Sequence, residues 1–430
     1  MGDTNDVIES FAPYPDGPSV RIFVFTQFFP PEVGATQARL GSFVRHLAEQ
    51  GHEVEVICEV PNHPQGVVHE GFRGRALVRR RVEGLRVHHV WVATSRTKTT
   101  RTRIAFYGSY ALAATLVGFA LPRPDVVLAS SPPLPVAAVG AAVARRHRVP
   151  WVMDVRDLWP EAAVALGELT DPRALAFAEG LERWLYRDAT SIIGVTEPFL
   201  RIIGEKTPDP RKISIISNGT TPLWIEAARI ERDRASVQLP EEQFVWTYAG
   251  NVGPAQGLDA AVEAAGLLDD RFTLLILGDG PLRSILERQA KQLAPGRVVF
   301  RDQVSEEEAA RYLRASDALL VSLSDHAVLH SAVPSKVFDY CATGRPVVIA
   351  GAGESARLTE EAGAALTVPP ADAHALAAAI SRLRASPSLV RSLGAAGRTF
   401  GAANLRAQGA RRLEATLEKA RRDGARPIHS

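Results

Sequence analysis

A lysine at the start of a helix, followed one turn later by an acid, can hold a phosphate and a sugar diol. The segment SAVPSKVFDYCATGRPVVIAG, residues 331–351, has this spacing. Pro334 favours a helix that begins near Ser335. Its first N–H groups lack intrahelical partners and its dipole attracts an anion. Lys336 adds positive charge there. Asp339 lies within reach of a ribose hydroxyl pair, to which a carboxylate makes strong, directional hydrogen bonds. An ordinary amphipathic helix with an exposed Lys and Asp would share this spacing.

Other segments suit the same chemistry. YAGNVGPAQGLD (248–259) reads as a strand, a glycine-rich loop with Asn251 and Gly253, and a helix. LGDGPL (277–282) is a tight turn with Gly278 and Gly280 at a strand end. Such loops present N–H groups to an anion, but neither matches the dinucleotide or P-loop spacing. In FFPPEVGATQARL, Gly34 precedes a helix and permits close backbone approach to a phosphate. VMDVRDLWPE (152–161) sets Asp154, Arg156, Asp157 and Glu161 beside Trp159 at a strand end, a set suited to a sugar-binding wall. Asp154 and Asp157 do not form a DxD pair, and no cluster has metal-ligand spacing, so no metal is expected. No nucleophile-elbow motif is present.

These residues need strands and helices to position them. Apolar runs at 21–27, 53–59, 86–92, 126–131, 151–155, 191–195 and 213–217 alternate with helical patterns, such as 37–49 with Leu40, Phe43, Val44 and Leu47 on one face. Residues 218–242 break the pattern and read as a connection. A second series follows at 244–250, 272–278, 298–302, 318–323, 346–351 and 365–370, with Ser305 and Glu308 forming a capping-box signature. Strands alternating with helices indicate parallel βαβ units, whose ligands bind beyond the carboxyl ends of the strands. The expected division is a tail over 1–20, an N-terminal domain over 21–222 joined by a helix at about 406–423, and a C-terminal domain over 243–405.

Composition is globular: 430 residues, 46% hydrophobic and 23% charged, with net charge +2, which implies no nucleic-acid partner. Cys58 and Cys341 are the sole cysteines, too few for a disulfide framework, and suggest a reducing compartment. The start, MGDTNDVIES, has neither a secretory pattern nor a myristoylation site. Arginines dominate 73–103, where Glu83 is the only acid, either as a solvated loop-rich face or as a face for an anionic partner. Residues 104–121 carry no charge. The first reading of that stretch is a buried helix and the second a membrane-surface helix, with a true span the weakest.

In order and spacing, FFPPEVGATQARL with GHEVEVI, DVRDLWPE, ISNG, YAGNVGPAQGLD with LGDGPL, and VPSKVFDYCATGRPVV with ALTVPPADAHALAAAI resemble the GT-B glycosyltransferases of family 4, in the subgroup typified by the O-antigen fucosamine transferases. The resemblance covers nearly the whole chain after residue 20. It implies an α/β GT-B fold of two doubly wound Rossmann-like domains with a shared inter-domain cleft. It also implies retaining transfer of a hexosyl or N-acetylhexosaminyl group from a nucleoside diphosphate sugar, UDP-linked rather than GDP-linked, bound mainly by the C-terminal domain. Gly34 matches the loop glycine beside the donor phosphate, and Asp339 the second acid of the E-x7-E element. The first acid falls on Ser331, the usual Arg and Lys of the diphosphate site on Asn251 and Gln256, and a frequent His on Arg156. Lys336 and the N–H groups of Ser335 and Lys336 are the expected replacements.

Lys336, Asp154 and Arg156 are the catalytic candidates. The donor set is Gly34, Asn251, Gly253, Gly278, Gly280, Ser331, Ser335, Lys336 and Asp339. The acceptor side is Asp157, Trp159 and Glu161. The sugar donor is a substrate, and no cofactor is required. The expected partners are that donor and a carbohydrate, lipid-linked or small-molecule acceptor, with membrane-surface contact through 73–121. The setting is cytoplasmic, in cell-envelope or polysaccharide biosynthesis. A nucleotide-sugar 2-epimerase and a silent nucleotide-sugar binding protein are the alternatives.

Overall fold

The computed structural model describes residues 19–32, 35–62, 66–97 and 99–424. The chain divides into two compact units. One comprises residues up to Ala163, Leu169–Ile216 and the chain from Ala407 onward; the other comprises Val164–Glu168 and Ser217–Arg406.

The first unit holds an eight-stranded sheet: β1 (Arg21–Phe25), β2 (Glu53–Glu59), β3 (Leu77–Val82), β4 (Leu85–Val90), β5 (Val126–Ser131), β6 (Trp151–Val155), β7 (Ser191–Gly194) and β8 (Ile213–Ile215), in the order β3-β4-β2-β1-β5-β6-β7-β8. All neighbours run parallel except β3 against β4. The central strands are continuous apolar runs because helices cover both faces of such a sheet; every residue of β5 is buried. Helix Arg406–Gly424 adds Ala410, Leu413, Leu417 and Ala420 to the core that contains β1 and β2.

Two local expectations change here. The arginine-rich stretch is not all loop, because Arg79, Arg80 and Arg81 lie exposed on edge strand β3. Cationic side chains on an edge discourage pairing with another chain. The uncharged stretch forms helix Thr100–Ala120, N-capped by Thr99, but it is not a buried helix. Tyr110, Ala114 and Gly118 face the core, whereas Ile104, Leu112 and Leu116 are exposed. Among the described residues no helix is long and apolar enough to cross a membrane.

The second unit holds six parallel strands: β9 (Phe244–Ala249), β10 (Phe272–Leu277), β11 (Val298–Arg301), β12 (Ala318–Ser322), β13 (Val347–Ala350) and β14 (Ala365–Val368), in the order β11-β10-β9-β12-β13-β14. Strand order reverses between β9 and β12, which pair directly. This is the switch point beyond which doubly wound sheets bind ligands. Residues 218–242, expected as a connection, belong to this unit. Trp224 is buried in its core, and Arg232 and Arg234 both pair with Asp317.

Candidate functional site

At the switch point, the loop after β9 meets helix Ser335–Ala342, which follows β12. Lys336 Nζ donates to Tyr248 Oη at 2.8 Å and lies 4.0 Å from the centre of the Tyr248 ring. Tyr248 Oη in turn donates to Asn251 O at 2.6 Å. The lysine thus rests on a buried tyrosine that also anchors the glycine-rich loop. Among the described residues no carboxylate is paired with it, and desolvation by burial pulls its pKa down to about 7. A cation brought to a helix N-terminus without a counter-ion favours an arriving anion.

The loops around it require glycine. A Cβ on Gly250, where φ is +138°, would lie 2.8 Å from Lys336 Nζ. One on Gly278, at φ +143°, would overlap Gly250 O, and one on Gly280 would overlap Val252 O. Val252 N donates to Asp279 O at 2.9 Å and Leu282 N to Val252 O at 3.0 Å, so the turns after β9 and β10 interlock. Asn251 and Gly253 both donate to Gln256 Oε1, at 3.3 and 3.1 Å. Gln256 therefore folds the loop from within.

Asp339 is enclosed at the second turn of the lysine's helix. Its Oδ1 accepts from Thr220 Oγ1 at 2.8 Å and lies 3.9 Å from Arg406 Nη2. Burial nevertheless pushes its pKa up to about 7. Oδ1 ties the helix to the segment that enters the unit. Tyr340 Oη accepts from Ala249 N at 2.8 Å and donates to Ala249 O at 2.6 Å, closing the end of β9. Ser335 opens the helix, and Ser331 ends the short turn Ala327–Ser331 on the same connection. Thus Asn251, Gly253, Gly278, Gly280, Ser331, Ser335, Lys336 and Asp339 all follow the carboxyl ends of β9, β10 and β12. Gly34 lies outside the described residues.

In the first unit three of the expected site residues have structural partners. Asp154 is not a free catalytic acid: both oxygens accept from Arg39 Nη1, at 2.9 and 2.7 Å, Ser130 Oγ donates to it at 3.1 Å, and the ion pair is almost wholly enclosed. Arg39 Nη2 also donates to Ile216 O at 3.0 Å, so the pair fastens helix Ala35–Glu49 to β6 and the end of β8. Arg156 donates through Nε to Ser130 Oγ at 2.7 Å and through Nη2 to Pro132 O at 2.9 Å. It is a strut for the turn after β5, with a pKa pulled down to about 10 by burial. Glu161 pairs with Lys206, which also binds Glu182 at 2.9 Å, so it belongs to a partly exposed ion cluster. Asp157 and Trp159 remain half-buried. Burial raises the Asp157 carboxyl to about 6, although Oδ1 accepts from Leu158 N at 3.0 Å.

Among the described residues one grouping, His52, Glu414 and Glu418, has metal-ligand reach. His52 already directs Nε2 to Glu414 at 3.2 Å and accepts from Val20 N at Nδ1, 3.4 Å away. Sequence reasoning missed Tyr248, Tyr340 and Thr220. The tyrosines sit inside apolar runs, and only the loop glycine that follows β9 hinted at a side chain crossing there.

Residues 34–219 match the model of the glycosyl transferase 4-like domain, and residues 243–386 that of the glycosyl transferases group 1. WcaI of Escherichia coli (strain K12), named as a colanic acid biosynthesis glycosyl transferase, is 26% identical over 84% of this chain and 91% of its own. Sucrose-phosphate synthase from Thermosynechococcus elongatus superposes with a TM-score of 0.72 at 19% identity, covering 93% of this chain and 98% of that one. Anabaena HepE, solved with UDP-glucose, gives 0.69 at 15%, covering 93% and 100%. The chain belongs to the family-4-type glycosyltransferases of GT-B fold.

Proposed function

We propose that this glycosyltransferase takes a hexosyl or N-acetylhexosaminyl group from a UDP-linked sugar and attaches it, with retention, to a hydroxyl of a glycan, lipid-linked or natural-product acceptor in cell-envelope or polysaccharide biosynthesis on the cytoplasmic side. The observation that carries the donor reading is Lys336 at the head of its helix, resting on Tyr248 against the Gly250 loop. UDP in the HepE structure supports the choice of nucleotide.

In this reading the diphosphate contacts Lys336 and the N–H groups of Ser335 and Lys336, and the ribose diol contacts Asp339 Oδ2. As the glycosidic bond breaks, negative charge grows on the leaving diphosphate. A donor set already oriented there stabilises it without reorganisation. The incoming hydroxyl approaches on the face the diphosphate leaves and gives its proton to a donor phosphate oxygen. Asp157 and Trp159 form the acceptor wall, and no protein nucleophile is assigned.

Incubating the full chain with UDP-sugars and an acceptor panel, followed by NMR of the product anomeric proton, tests the reading. An axial donor should give an axial product. Inverted product would remove the same-face route. A new nucleotide sugar formed without acceptor would mark an epimerase, and donor binding without turnover across the panel a silent binding protein.

A further inference from the structure

The second unit gathers arginines at the end of its sheet opposite the donor site, where helix Glu306–Ala315 finishes and β12 and β13 begin. Arg345, just before β13, donates through Nε and Nη2 to Arg314 O, at 3.0 and 2.6 Å. Arg314 Nε donates to Ile230 O at 3.1 Å, and Arg232 Nε, two residues further along that segment, to Ala315 O at 3.1 Å. The guanidinium of Arg398, on helix Pro387–Ala403, lies over Gly344: a Cβ there would be 2.8 Å from Arg398 Nη1. Arg234 joins the group by sharing Asp317 with Arg232.

The negative charge available to this group falls short of its positive charge. Among the described residues Asp317 is the one carboxylate paired with any of these guanidinium groups, and exposed Glu231, in the same segment as Arg232, pairs with none of them. The carbonyl end of helix Glu306–Ala315 adds a dipole worth only about half an elementary charge. Arg314 and Arg345 are also partly shielded from water. Burial, with the charges of Arg314 and Arg232 beside it, pulls the pKa of Arg345 down to about 9, although Asp317 opposes this. Burial and the charges of Arg232 and Arg398 lower that of Arg314. Partly desolvated cations that face one another are relieved by an arriving anion. The forks of Arg314 and Arg398 have no carboxylate partner among the described residues, and such forks suit phosphate oxygens. The surplus calls for an anion with two or more charges, and its confinement to one set of turns favours a small one.

We propose that this arginine group is a second anion site, which holds a small polyvalent phosphate such as a diphosphate between Arg314, Arg345 and Arg398 at the amino end of the second sheet. It is separate from the site at Lys336 and does not depend on the donor reading. Helix Ser335–Ala342 carries Lys336 at its head and ends at the turn before Arg345, so one element borders both sites.

The test is calorimetric titration of inorganic pyrophosphate into the full chain, with and without saturating UDP. One saturable binding event should persist with UDP present. The Arg314→Gln/Arg398→Gln variant should bind pyrophosphate at least about tenfold more weakly under that condition. Arg398→Glu, a change at an exposed position, should weaken it as well. Unchanged melting temperature and UDP affinity in each variant would establish that the fold and donor site are intact. Pyrophosphate binding that UDP abolishes would overturn the proposal. So would wild-type affinity in either variant, or heats no larger than those of potassium chloride at equal ionic strength. Should UDP itself not bind, the donor reading fails, while the effect of the arginine substitutions still decides this proposal.

Discussion

Lys336 is held by a tyrosine hydroxyl and an aromatic face rather than by an acid. This makes its charge sensitive to the ligand. With the free site near pH 7, a bound diphosphate raises the lysine's pKa, because it favours the charged form. The lysine's contribution to binding is therefore full below about pH 7 and is lost as pH rises through the occupied-state value. UDP affinity measured by calorimetry should fall roughly tenfold between about pH 6 and pH 9, and this fall should vanish in Lys336→Met. Asp339→Asn should weaken UDP binding by about 1–3 kcal/mol; unchanged affinity would place the ribose elsewhere. Asp154→Ala should instead lower stability by about 3–5 kcal/mol in denaturant titration, because it strands buried Arg39. Sequence reasoning identified Lys336 and Asp339 as neighbours, since helical spacing alone determines that. The ion pair of Asp154 was not legible, because its counter-ion, Arg39, is 115 residues away in the chain. Long-range partners leave no local signal.

Among the elements, the paired turns after β9 and β10 form the most constrained part of the donor site. Gly278→Ala should displace the Gly250 loop and reduce UDP affinity at least about tenfold. Gly296→Ala, also at positive φ but with open space around it, should cost about 1 kcal/mol of stability and leave affinity unchanged. Equal losses of affinity in both would deny the turns their special role. The parallel strands were legible because buried βαβ strands are continuous apolar runs. Edge strand β3 was not, since three arginines interrupt its pattern. Helix Thr100–Ala120 was legible as a helix, but its exposed face was not, because a stretch without charge gives no sign of which side meets the core.

At the scale of the molecule, the two series of strands in the sequence correspond to the two sheets, and segment 218–242 joins the second unit through Trp224 and the Asp317 ion pairs. The signals that bind it there are a buried tryptophan and two arginines whose partner, Asp317, is distant in the chain, neither of which has helical or strand period. Net charge is only +2, so the field of the whole chain steers a nucleotide sugar weakly. On the proposed reading, affinity for the diphosphate comes from the switch point of the second sheet. Titrating UDP into the full chain and into Lys336→Met, under identical buffer and with the fold of each verified by its melting curve, tests this directly. The account predicts that the variant binds at least about tenfold more weakly. Equal dissociation constants would contradict it.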